Sequence, residues 1–99
     1  MVREMKIDHL YLRLDGRVFE VLSDESEFAM RMPVEATCFA AKGPDRNGRY
    51  KAQIGLLRNG ELHQGARRCQ VEMDETQWLR FSALVAATHQ ARDAGPEPW

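Results

Sequence analysis

The stretch Gln70-Val71-Glu72-Met73-Asp74-Glu75-Thr76-Gln77-Trp78-Leu79-Arg80-Phe81 decides the fold, because the spacing of apolar residues changes within it from two to nearly four. Cys69, Val71 and Met73 alternate with Arg68, Gln70 and Glu72, which predicts a strand with those three residues facing inward. Asp74 follows as a helix N-cap, and Gln77, three residues on, is placed to return a bond to the Asp74 backbone, so the two have the form of a capping box. Beyond them Trp78, Phe81, Val85 and Thr88 recur at helical spacing and Leu84 broadens the stripe. A core-facing helix of about four to five turns is expected. Glycine and two prolines in residues 94–99 end it and leave a tail from about residue 93, with Trp99 extended as a possible partner anchor.

Upstream, Asn59-Gly60 is a two-residue hairpin signal between a strand over Tyr50 to Leu57 and a return through Glu61-Leu62-His63, with an irregularity at Gly65 before Arg68. Gly43-Pro44-Asp45-Arg46-Asn47-Gly48 is dense in turn formers and predicts an exposed loop. Residues 33–42 are ambiguous. Pro33 suits a helix start before Val34 to Ala41, while the alternation of Val34, Ala36, Cys38 and Ala40 with Glu35, Thr37 and Phe39 favours a strand. Nearer the start, Leu10, Leu12 and Leu14, then Phe19 and Val21, flank Asp15-Gly16. That pattern predicts a hairpin pairing Leu14 with Arg17, Leu12 with Phe19 and Leu10 with Val21. Its other face carries His9, Tyr11 and Arg13 against Leu22, Glu20 and Val18.

Together these elements predict a single α+β domain over residues 1–99, with four to five antiparallel strands in one sheet packed on a C-terminal helix. The expected core is Leu10, Leu12, Phe19, Val21, Ile54, Leu56, Val71, Met73, Trp78, Phe81 and Val85. A sheet covered on one side leaves its other face and edges open, so a homodimer is expected.

Composition bounds the function. The chain has 14 basic and 15 acidic residues, a net charge of −1, which disfavours bulk coating of nucleic acid. The longest apolar run, Ala83 to Ala87, falls far short of the ~20 residues a membrane-spanning helix needs. The first thirty residues lack the basic start and apolar run of a secretory signal, and two cysteines do not make a disulfide framework, so a reducing cytoplasm is the expected location.

Chemistry-bearing residues are sparse. His9, Cys38, His63, Cys69 and His89 occur in no closely spaced ligand pair, so neither a metal nor another cofactor is expected. No nucleophile motif, phosphate loop or H-E-x-x-H helix is present, and the expectation is a protein without enzymatic activity. An enzyme built from Cys38 or Cys69 with His63 is the second alternative, set against packed, inert thiols.

Charge distribution says more than net charge. Residues 1–41 carry −3, residues 42–68 carry +5 and residues 69–99 carry −3. Lys42, Arg46, Arg49, Lys51, Arg58, Arg67 and Arg68 fall on one predicted loop and two neighbouring strands around Tyr50, so these eight residues form the candidate partner-binding set, suited to phosphates or carboxylates. The alternative is a solvated face neutralised by the acidic segments, including Ser23 to Glu27.

Val71, Met73, Asp74, Glu75, Gln77, Trp78 and Phe81 match a pattern V-x-M-[ST/D]-E-x-Q-[WF]-x-x-F, and in them the chain resembles small accessory proteins of bacteriophages and other mobile elements. The resemblance covers about a fifth of the sequence. This chain continues its helix through Leu84-Val85-Ala86-Ala87, where those proteins turn into a glycine-containing loop and a final strand. The resemblance implies a role played mainly by binding, in a class that includes anti-CRISPR inhibitors of bacterial defence. The expected function is accordingly to bind and inhibit or remodel a host protein or nucleoprotein complex. Nucleic-acid binding through the central basic segment is the first alternative.

Overall fold

In the computed structural model, which describes residues 2–95, the change of period at Met73 is the point where a strand runs into the helix. The described residues form β1 (Val2–Ile7), β2 (Leu10–Asp15), β3 (Val18–Ser23), β4 (Ala29–Pro33), a 3-10 turn (Val34–Ala36), β5 (Thr37–Lys42), β6 (Tyr50–Arg58), β7 (Glu61–Leu62), β8 (Arg68–Met73) and α1 (Glu75–Ala94). The α+β class is as expected, with the strands divided between two antiparallel sheets instead of one. The first is a meander ordered β1-β2-β3-β4; in the second, β5 and β8 both pair with β6, and β7 pairs with the end of β6.

Residues 33–42 make the division. Pro33 is the last residue of β4, and Val34–Ala36 then coil into the 3-10 turn, with Thr37 Oγ1 donating to Pro33 O at 2.8 Å. The turn redirects the chain out of the meander before β5 begins, so both sequence readings of the segment hold in part: three helical residues and then a strand. It also resets the alternation. Thr37 is buried and Phe39 packs against the core, while Ala40 is exposed.

The β2–β3 hairpin forms in a register different from the one expected. Leu14 pairs with Phe19, Leu12 with Val21 and Leu10 with Ser23, so the turn is Gly16-Arg17 and not Asp15-Gly16. Gly16 has φ of 59° and Arg17 is not among the positive-φ residues, the pattern of a type II′ turn with glycine first. The shift is two residues along one strand, so Leu12, Leu14, Phe19 and Val21 all remain inside. It also frees Arg17, whose Nη1 donates to Ala91 O and, at 2.7 Å, to Gly95 O, while Nη2 pairs with Glu35. The turn thereby supplies donors and a positive charge to the C-terminal carbonyls of α1.

The Asn59-Gly60 hairpin forms as expected, with φ of 53° and 82° and Arg58 opposite Glu61. The return strand is broken at residues 63–67, where the sequence placed its irregularity at Gly65. Leu62 is buried against Gly55 of β6, where a Cβ would come to 3.0 Å from Leu62 Cδ1, so any larger residue there would have to push the leucine tip aside.

At the head of α1, Asp74 Oδ1 accepts from Gln77 N at 2.8 Å and Gln77 Oε1 accepts from Asp74 N at 3.0 Å, completing the capping box. The helix packs on β1, β2, β8 and the 3-10 turn, so it touches both sheets. Phe19 of β3, Phe39 of β5 and Phe81 of α1 meet edge-on, with centroids 5.2 and 5.8 Å apart, which joins the three layers in one core. Every residue of the expected core belongs to this cluster or packs against it. Trp78 is half-buried, stacked on Tyr50 at 4.5 Å with the rings 6° from parallel. Trp99 lies outside the described residues.

Candidate binding face

Sheet register determines which of the basic residues share a face. On the side of the second sheet turned away from the core, three rows run across the strands: Lys42, Lys51 and Glu72; Ala40, Gln53 and Gln70; Cys38, Gly55 and Arg68. Arg49 stands just before β6 and its Nε donates to Glu72 Oε1 at 3.3 Å. Arg46 is exposed on the adjoining loop, which Asp45 holds by accepting from Asn47 N at 2.8 Å and Arg49 N at 2.9 Å through Oδ1. Those two backbone donors keep the Asp45 carboxyl below its ordinary pKa. The loop starts at Gly43, whose φ of 132° and 2.9 Å approach of a Cβ to Arg49 O leave room for no side chain.

The structure thus brings together Lys42, Arg46, Arg49, Lys51 and, farther along the face, Arg68. Three members of the candidate set lie elsewhere. Tyr50 has the opposite parity and stacks on Trp78. Arg58 is at the far end of β6, about 23 Å from Lys51 at the usual strand rise, with Nη1 3.3 Å from His63 Nε2. Arg67 places its guanidinium 4.7 Å from the Phe28 ring and donates to Ala29 O at 3.0 Å, which commits it to tying the residue 63–67 segment to β4. The single cluster inferred from charge is therefore divided along the length of β6. Gln53 and Gln70 are added to it, register partners whose amides lie between the lysine row and Arg68; strict alternation along β6 and β8 is the sequence signal that marks them.

Lys42 and Lys51 are directly opposed across β5 and β6. Among the described residues no carboxylate lies within 4.0 Å of either ammonium. Glu72, the other neighbour of Lys51, is engaged by Arg49. Beside them is a shallow concavity of about 340 Å³, lined by Lys42, Lys51, Gln53 and Gln70 over the small side chain of Ala40. Two ammonium groups without a close ion-pair partner among the described residues, with amide donors next to them, are a chemistry suited to carboxylate or phosphate oxygens.

The nucleophile candidates are placed differently. Cys69 is buried and Cys38 half-buried, and burial raises both thiols above their ordinary pKa, so both are predominantly in the un-ionised form at neutral pH. Among the described residues there is no group of three His, Cys, Asp or Glu side chains able to hold a metal ion, and no helix long and apolar enough to cross a membrane. Comparison with protein-family models, curated proteins and solved structures finds no match to this chain.

Proposed function

We propose that this chain acts by binding, presenting the outer face of the β5-β6-β8 sheet to an acidic surface on a partner protein. The opposed Lys42–Lys51 pair carries the reading. Like charges directly across a ladder destabilise a sheet, and an anionic partner turns that repulsion into attraction. The resemblance of residues 71–81 to mobile-element accessory proteins extends the proposal to a host protein or nucleoprotein complex as the partner, occluded or remodelled by the contact.

A protein surface is favoured over nucleic acid by what the face lacks. Among the described residues the exposed large apolar ones are Val2, Tyr11, Leu22 and Leu79, none of which is on this face, so the described residues supply no aromatic platform there for stacked bases. The net charge of −1 points the same way. The test is capture from a nuclease-treated bacterial lysate by the wild-type chain and by the double variant Lys42→Glu/Lys51→Glu. The proposal expects a dominant protein retained by the first and lost from the second. Capture abolished by nuclease, or equal for both chains, contradicts it.

A further inference from the structure

The outer face of the β1-β2-β3-β4 meander carries a pattern that the binding proposal does not use. Its central row reads Glu4, Arg13, Glu20, Arg31 across the four strands in register, alternating in sign from edge to edge. On one side lies the row Lys6, Tyr11, Leu22, Ala29, and on the other Val2, Asp15, Val18, Pro33. Tyr11, Leu22 and Val2 are three of the exposed large apolar residues of the protein, at 39%, 36% and 48% exposure. Within the chain the ladder is only partly satisfied. Arg31 Nε meets Glu20 Oε1 at 3.2 Å and Arg13 Nη2 meets Asp15 at 3.6 Å, while Arg13 Nε is enclosed with no hydrogen-bond partner.

We propose that this face is the interface of a homodimer whose two-fold axis runs parallel to the strands, between β2 and β3. A row that alternates in sign over an even number of strands is self-complementary under that one operation. Rotation about the axis places Glu4 over the partner's Arg31 and Arg13 over the partner's Glu20, so every charge in the row meets its opposite. The alternative in-plane axis, perpendicular to the strands, sets each charge on its own copy and is repulsive. The same rotation lays Tyr11 over the partner's Leu22 and Val2 over the partner's Pro33, with strands of the two sheets aligned as in face-to-face sheet packing. Asp15 meets Val18 at the rim, where water and Arg13 remain available to it. By strand spacing and rise the face measures roughly 19 by 17 Å, which puts the dimer in the weak, concentration-dependent class.

The interface reads charge by position, and so does its test. In sedimentation equilibrium from ~1 to ~500 µM, the wild-type chain is expected to rise from 11.4 kDa towards twice that mass. Arg13→Glu and Glu20→Arg, each of which sets like charge on like across the axis, are each expected to raise the dissociation constant at least tenfold. An equimolar mixture of the two is expected to re-form a dimer, because each then supplies the sign the other lost. Leu22→Ser, which alters no charge, is expected to weaken the dimer through loss of its contact with the partner's Tyr11, and it gives the answer if a charge variant fails to fold. A wild-type chain that stays monomeric throughout, a variant that associates as well as wild type, or a mixture of folded variants that does not pair overturns the proposal.

Discussion

Truncation of Phe81 tests the packing of helix on sheets most severely. Its side chain is 1% exposed and meets Phe39 edge-on at 5.8 Å, at the junction of α1 with both sheets. Phe81→Ala removes a buried ring from the core, a change worth about 3 to 5 kcal/mol, and the lost edge-on pair places it in the upper half of that range. Trp78 is the larger residue, yet it is half-buried and stacked on Tyr50. Removing it uncovers roughly 100 Å² of apolar surface, about 2.5 kcal/mol at 25 cal/mol/Å², and leaves no closed cavity because solvent reaches the site. Urea denaturation followed by far-ultraviolet circular dichroism gives both free energies. A domain of this length has roughly 5 to 15 kcal/mol in all, so Phe81→Leu, expected to cost about 1 to 2 kcal/mol, keeps the series measurable if the alanine variant unfolds without denaturant. A cost for Phe81→Ala below about 1.5 kcal/mol, or below that of Trp78→Ala, refutes the reasoning.

Two further outcomes follow from local geometry. Asp74→Ala should cost about 1 kcal/mol in the same melts, and adding Gln77→Ala should cost little more, because the two bonds of the capping box form as a unit. Asp45 is held below its ordinary pKa by the backbone donors of Arg49 and Asn47, so its contribution is complete above the unfolded carboxylate range and is lost as pH falls through the depressed folded value. In an amide-resolved NMR titration the Asn47 and Arg49 resonances should therefore move at lower pH than those beside an ordinary aspartate, and in Asp45→Asn that movement should vanish.

Local rules carried much of the fold. The capping box, the Asn59-Gly60 turn and the inward set Cys69, Val71 and Met73 could all be read because each is fixed by residues within a few positions of one another. The β2–β3 register could not, since Asp15-Gly16 suits a type I′ turn with positive φ at both positions and Gly16-Arg17 a type II′ turn with positive φ at Gly16 alone. Division into two sheets depends on three residues of 3-10 turn after Pro33, too short a segment for periodicity to resolve. β1 had no signal of its own, because Val2, Glu4 and Lys6 are exposed and, of its other described residues, only Ile7 is fully buried. The candidate site was legible as a charge excess over residues 42–68, and its geometry was not. Charge counting ignores parity and distance, so it grouped Tyr50, Arg58 and Arg67 with residues on another face or at the other end of β6, and it passed over the uncharged Gln53 and Gln70.

The measurement that bears most directly on the binding proposal is the affinity of the captured partner, once purified, for the wild-type chain, for Lys42→Glu/Lys51→Glu and for Arg58→Glu. The first variant reverses both members of the opposed pair, and the second reverses one charge at the far end of the same strand. All three chains should melt alike, since exposed charges contribute only ~0 to 1 kcal/mol to folding. The account predicts that the double reversal weakens binding by ~2 kcal/mol or more, at least about thirtyfold, while Arg58→Glu binds as wild type does. Equal affinity for wild type and the double reversal, or a loss confined to Arg58→Glu, contradicts it.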